Sequence, residues 1–370
     1  MPRLLATLLC ALLLAPAARA GAAAPWPSRS LQIGVEDAEG GAGALRASAP
    51  FGLRYHYLAG GVNTGQGWQG WATGGGSFVS GFIADSARHG MIPVFSYYEL
   101  RQSHPGAGLA DEQAAVIANL GDRETMRAWF EDLRVVFQRA GKTGVPTVVQ
   151  LEPDLWGYVQ RSSPSDDASA VDAQVAATGL PGLEGLPNTA AGVARGAARL
   201  RDRLAPNVLL GYPVSIWGTG KDVAASNESD ESIDALAARS ARFIRSLGTS
   251  FDVLFTEVAD RDAAYAAERD GASDAWWDAA DFARFARYVG RVHAAVDRPV
   301  VVWQIPLGNT LHRAMDDTPH HYQDNRVQWY LGARGRAHLR LLLRAGVVAL
   351  LFGSGQPEGT CACDNAGDGA

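Results

Sequence analysis

Two carboxylate clusters stand out as residues that could do chemistry. Val149-Gln-Leu-Glu152-Pro-Asp154-Leu-Trp156 and Leu254-Phe-Thr-Glu257-Val-Ala-Asp260-Arg-Asp262 each place acids directly after an apolar, β-branched run. A carboxylate at the end of a buried strand is costly unless it is paired, hydrogen-bonded or used. Two such groups facing one another could cleave a glycosidic bond. One would protonate the leaving oxygen, and the other would act as nucleophile or activate water. The candidate catalytic residues are therefore Glu152, Asp154, Glu257 and Asp260, whereas Asp262 reads as a solvated loop residue.

Aromatic residues accompany the acids. Tyr55, Tyr57, Tyr97, Trp156, Trp217 and Trp303 fall at or near strand ends, with Glu99 and Gln304 beside them. Aromatic faces stack on the apolar C–H faces of sugar rings, while amides and carboxylates bind the hydroxyls. A Gly-rich stretch, Gly60 to Gly76, offers Trp68 and Trp71 as further platforms. It contains a literal G-x-G-x-x-G, but more Gly and Trp follow before any helix, which does not suit a dinucleotide turn. The expected partner is thus a carbohydrate. No organic cofactor is implied, and no metal: His56, His320 and His321 lack metal-ligand spacing.

The elements that must position these residues repeat in order. Strand-like runs fall at Leu31–Val35, Gly52–Leu58, Ile92–Tyr98, Thr147–Glu152, Val208–Pro213, Asp252–Glu257, Val300–Ile305 and Val347–Phe352. Several are continuous apolar runs, as parallel strands buried on both faces require. Helical spacing of apolar residues marks Phe78–His89, Arg123–Ala140, Thr189–Leu204, Ser232–Leu247, Ala279–Val296 and Arg334–Ala345. Gly90, Gly141 and Gly346 stand where helix caps precede strands. About eight strand–helix repeats predict an α/β fold, a single (β/α)₈ TIM-type barrel with its site at the C-terminal strand ends. A doubly wound open sheet is the alternative. The short, Gly-rich Gly40–Ala49 marks the first βα unit as a place for irregularity. Ser162–Gly185 reads as a long loop covering or bordering the site.

The chain has 370 residues, 47% hydrophobic and 19% charged, with net charge −6. This supports a large core, and no basic patch invites nucleic acid or anionic membrane. Residues 1–20 read as a cleaved signal peptide: Arg3, an apolar Leu4–Pro16, then Ala18-Arg19-Ala20. The apolar run is too short to span a bilayer. The expected organisation is signal peptide 1–20, linker 21–30, barrel 31–355 and a Cys/Asp/Gly-rich tail 356–370, on a secreted (periplasmic or extracellular) protein. Cys361 and Cys363 could pair locally in that tail, which partly echoes a calcium loop.

The run Gln150-Leu-Glu-Pro-Asp154 resembles the strand-end Glu-Pro-Asp motif of family 6 glycoside hydrolases, cellulases built on a distorted barrel. The resemblance implies that Asp154 is the general acid. The family's Asp-rich loop on the preceding strand has no counterpart, since Phe95-Ser-Tyr-Tyr-Glu99 stands there. More broadly, the chain resembles secreted barrel glycoside hydrolases. Many of these carry a catalytic Glu at the end of the seventh strand, a slot held here by Gln304. That substitution keeps a non-catalytic glycan-binding barrel open as an alternative, and a metal-dependent polysaccharide deacetylase or hydrolase as a further one.

Overall fold

A computed structural model describes residues 26–311, 320–353, 355 and 359–360. The expected signal peptide, half of the linker (21–25), and the tail apart from residues 359–360, with Cys361 and Cys363, lie outside the described residues. Eight parallel strands close in chain order: β1 (Gln32–Glu36), β2 (Leu53–Ala59), β3 (Ile92–Tyr98), β4 (Thr147–Leu151), β5 (Val208–Pro213), β6 (Val253–Glu257), β7 (Val300–Ile305) and β8 (Val347–Phe352), with β8 pairing back onto β1. The fold is a single (β/α)₈ barrel.

Helices follow the strands: α1 (Ala42–Ser48) after β1, α2 (Ser77–Arg88) after β2, and α3 (Glu112–Gly121) with α4 (Arg123–Thr143) after β3. Next come α5 (Leu155–Ser162) and α6 (Ala190–Leu204) after β4, α7 (Asp230–Ser246) after β5, and α8 (Ala263–Arg269) with α9 (Ala279–Val296) after β6. Finally α10 (Arg326–Leu331) and α11 (Gly335–Arg344) follow β7. The first βα unit is regular enough to carry α1, despite its glycines. Helix starts are capped by side chains where the sequence supplies them. Asp111, Asp122, Thr189 and Ser229 each accept an N–H from the first turn, and Asp278 closes a capping box with Asp281.

Strand alternation divides the core in two. Leu53, Tyr55, Val94, Val148, Leu209, Val253, Phe255, Val301, Trp303 and Leu351 fill the barrel, as stacked layers of inward side chains should. The opposite phase packs against the helices: Leu58, Phe95, Tyr97, Val149, Leu210, Leu254 and Val302 meet Phe82, Trp129, Phe130, Val193 and Phe285. Arg54 obeys the same phase. It is fully buried outside β2, bonded to Asp37 at 2.6 Å and lying over Phe82.

The long connection after α5 departs from expectation. Leu180, Leu183 and Leu186 bury themselves in the outer core, and Asp166 anchors the segment to Arg239 and Arg242 on α7. It packs on the flank of the barrel and gives no residue to the cavity described next.

Candidate active site

A cavity of about 330 Å³ opens at the C-terminal mouth of the barrel. Its floor is built from the inward layer. Gln150 accepts hydrogen bonds from Ser96 Oγ at 2.7 Å and Trp303 Nε1 at 3.1 Å, which fixes the Trp303 ring. Tyr57 meets that ring edge-on, with centroids 5.8 Å apart, and Tyr55 stacks beneath at 6.5 Å. Tyr57, Tyr98, Tyr158, Trp217 and Trp303 line the walls, with Glu112, Asp154, Asp260, Arg261 and Gln304 among them. Trp217 rests against Tyr158, 4.7 Å between ring centres, and lies on α5 where Gly157 has no side chain. A Cβ at Gly157 would stand 2.6 Å from the indole.

Asp154 is held in a sparsely populated conformation, φ 54° and ψ −41°, at the position that caps α5. An Asp there normally accepts an N–H of the first turn; this one makes no such bond. Its carboxyl faces the cavity instead. Removal from water, then the charge of Asp260, raises it to about 7, although the Tyr98 hydroxyl pulls the other way. Glu257, held by Trp217 Nε1 at 3.1 Å, is pushed well above the carboxylate range by burial, Asp154 and Asp260. Asp260 stands at the mouth with its side chain 56% exposed. Partial desolvation raises it too, while Arg261, 3.9 Å away, lowers it. Three acids from two strand ends therefore share one field, and they cannot all ionise near neutrality without repelling one another. Glu36, at the end of β1, adds to the charge that holds the Tyr57 phenol protonated.

Several expected residues lie elsewhere, and one physical reason covers most of them. Glu152 also has positive φ, 55°, so the chain turns before its side chain can enter the barrel. Its carboxylate sits in the outer layer, accepting from Trp129 Nε1 at 2.6 Å and from the backbone N–H of Leu100 at 3.0 Å. Burial raises it to about 8. Tyr97 and Glu99 share that outward phase. Tyr97 donates to Asp132 at 2.8 Å, and Glu99 is raised to about 9 by burial and by Asp132 and Glu152, which outweigh the opposing backbone N–H groups of Gly61 and Trp68. The inward residue of β3 is the adjacent Tyr98, a one-residue phase error that moves a side chain to the other face.

Trp68 is buried and donates to Asp132 at 2.8 Å; Trp156 is buried and donates to Leu151 O at 2.8 Å. Trp71, 44% exposed, packs edge-on against His56 and Phe78 at the flank. Tyr55 lies one layer too deep. Asp262 is not solvated: it is buried, accepting from Gly308 N and Thr360 N, and is raised to about 6 by that burial. Sequence reasoning missed Tyr98, Glu112, Tyr158 and Arg261. The Ile92, Val94, Ser96, Tyr98 alternation would have found the first, but Glu112 and Tyr158 arrive from helices and carry no strand-end signal.

Gln304 has φ 55° within β7, where the register against β8 shifts between Val302 and Ile305. The irregularity turns its amide into the cavity, beneath Gly355, where a Cβ would lie 1.4 Å from Nε2. Strain at Asp154 and at Gln304, facing one cavity, is the pattern expected where backbone energy is committed to placing a functional side chain. Among the described residues no cluster of three or more His, Cys, Asp and Glu could hold a metal ion.

No family model and no curated protein sequence matches the chain. Solved structures share its fold. A family 26 β-mannanase from Bacteroides ovatus aligns at TM-score 0.52 and 14% identity, over 92% of this chain and 86% of that one. A modular endo-β-1,4-mannanase from Cellulomonas fimi aligns at TM-score 0.54 and 9% identity, over 91% of this chain and 68% of the other. A family 6 endoglucanase from Mycobacterium tuberculosis aligns at TM-score 0.36 and 13% identity, over 70% of this chain and 66% of that one. At these identities the likeness is one of fold.

Proposed function

We propose that the protein is a secreted glycoside hydrolase acting on a poly- or oligosaccharide at the mouth of its barrel. The observation that carries this reading is that Asp154 and Asp260 line one cavity, close enough to feel each other's charge, among walls of Tyr57, Tyr98, Tyr158, Trp217 and Trp303. Asp154 is the general acid: near pKa 7 it still holds a proton at neutral pH, and desolvation makes it ready to release one to a leaving oxygen. Asp260, more exposed and beside Arg261, is the group that stays ionised and serves as nucleophile or base. Glu257 orients Trp217 and holds the second proton of the cluster. The aromatic walls stack the sugar, and Gln304 and Glu112 bind hydroxyls.

Support comes also from the fold neighbours, two of which are named as β-mannanases, making β-1,4-mannan the first substrate to try. Export rests on the N-terminal sequence pattern. A second reading, a glycan-binding barrel without turnover, is favoured by Gln304 at the end of β7. The test is a polysaccharide panel, led by β-1,4-mannan, against wild type, Asp154→Asn and Asp260→Asn, measuring binding and reducing ends released. Release by wild type should fall at least about a hundredfold in each variant, the usual range for loss of a positioned acid or base. Binding with no release by any of the three favours the second reading, and neither binding nor release sinks both.

A further inference from the structure

A second cavity, of about 210 Å³, adjoins the first and shares Asp260 and Arg261 with it. Its walls come from the segment after β5, the turn after β6, α8 and the approach to α9, and much of its apolar surface is alanine. The polar groups are of both signs. Asp222, Asp270 and Asp274 offer carboxylates, and Arg261 and Arg326 bring guanidinium groups. Both arginines are incompletely satisfied. Arg326 is buried, its Nη1 on Asp324 at 2.6 Å and its plane over Trp277, yet its Nε–H has no acceptor among the described residues. Arg261 lies over Tyr265, and among the described residues its Nε–H likewise has no acceptor, the Asp270 carboxylate standing 3.6 Å away. Buried donors without acceptors are costly and few.

We propose that this cavity is a further sugar subsite, contiguous with the catalytic cavity across Asp260 and Arg261, that binds a neutral, hydroxyl-rich ring of the same chain. The inference rests on the glycosidase reading and goes beyond it. A hydroxyl group both donates and accepts, so one ring can satisfy the two Nε–H groups and donate to the neighbouring carboxylates at once. An anionic sugar would meet Asp222, Asp270 and Asp274, and a bare cation would leave the Nε–H groups unmet. Trp276, 41% exposed, lies in sequence between the lining residues Ala275 and Trp277. The substrate is then a chain of several units, recognised on both sides of Asp260.

The experiment uses oligosaccharides of two to six units, from β-1,4-mannan or whichever polysaccharide the wild type depolymerises in the panel. The readout is the ratio of kcat/KM for long over short substrates. Asp274→Ala removes a carboxylate, and Ala225→Trp fills the cavity from an exposed position that should not disturb folding. Wild type should gain at least tenfold with length, and both variants should lose most of that gain, as expected for two or three lost hydrogen bonds. A wild type that gains nothing with length, or variants that keep the gain, overturns the subsite while leaving the glycosidase intact. No release or binding of any glycan by wild type overturns both.

Discussion

Replacing Asp154 by Asn should make the protein more stable above neutral pH while removing the proposed glycosidase activity. The sign follows from the direction of the shift. Asp154 titrates near 7 in the fold rather than at 3.8, because burial and Asp260 oppose its charge. The folded state therefore binds its proton more tightly than the unfolded chain does. That contribution is fully present below about pH 4 and is lost as pH rises through 7. By pH 8 the ionised side chain costs on the order of 4 kcal/mol, at 1.36 kcal/mol for each pH unit between the two values. Asparagine is close in shape, cannot ionise, and tolerates positive φ at least as well as Asp. Removing the charge also relieves Glu257 and Asp260, both raised in the same field. Thermal melts of wild type and Asp154→Asn at pH 5 and pH 8 test this directly. Wild type should lose several degrees on going from pH 5 to 8, and the variant clearly less. Equal losses in the two proteins would refute the claim that desolvation and Asp260 set this carboxyl. So would a variant less stable than wild type at pH 8, and the acid assignment would then lose its physical basis.

Two further predictions concern the acids behind the cavity. Glu152→Ala should cost about 3 kcal/mol or more, seen as a lower urea midpoint at unchanged slope, because the Trp129 indole and the N–H groups of Glu99 and Leu100 lose their acceptor. Glu99→Gln should flatten the pH dependence of stability on the alkaline side. Wild-type Glu99 favours the fold while protonated, and that contribution disappears as pH rises through about 9. Urea midpoints at pH 5 and pH 9.5 that shift equally in the two proteins would remove Glu99 from the account.

The fold was legible because its signal is long and redundant. All eight strands begin and end within one residue of the runs read from the sequence, and the main helices carry apolar stripes and glycine stops. The short helices were not legible. α5 and α8 span 8 and 7 residues, too few for periodicity to speak, and they are held by what they pack against. The site was legible by region and partly misread by residue. Of the acids, aromatics and amide read at strand ends, Asp154, Asp260, Tyr57, Trp217, Trp303 and Gln304 line one cavity. Which of two adjacent side chains turns inward is a matter of phase, and phase at a strand end is set by backbone angles that composition does not carry.

The turn after β4 makes this concrete. Plain alternation from Val148 and Gln150 puts Glu152 in the barrel, and it is also the larger acid directly after the apolar run. Two residues of one tripeptide, Glu152 and Asp154, instead take positive φ on either side of Pro153. The outcome divides two neighbouring carboxyls between environments: Glu152 against Trp129 and backbone N–H groups, Asp154 against a cavity, a phenol and a second acid. Neither conformation is favourable for a residue with a Cβ. It persists because Glu152 is over-determined: three donors converge on its carboxyl and fix it in the outer layer, while the Asp154 carboxyl two residues on lines the cavity. On this view Glu152 is a positioning residue. Its hydrogen bonds hold the strain, and the strain places the acid.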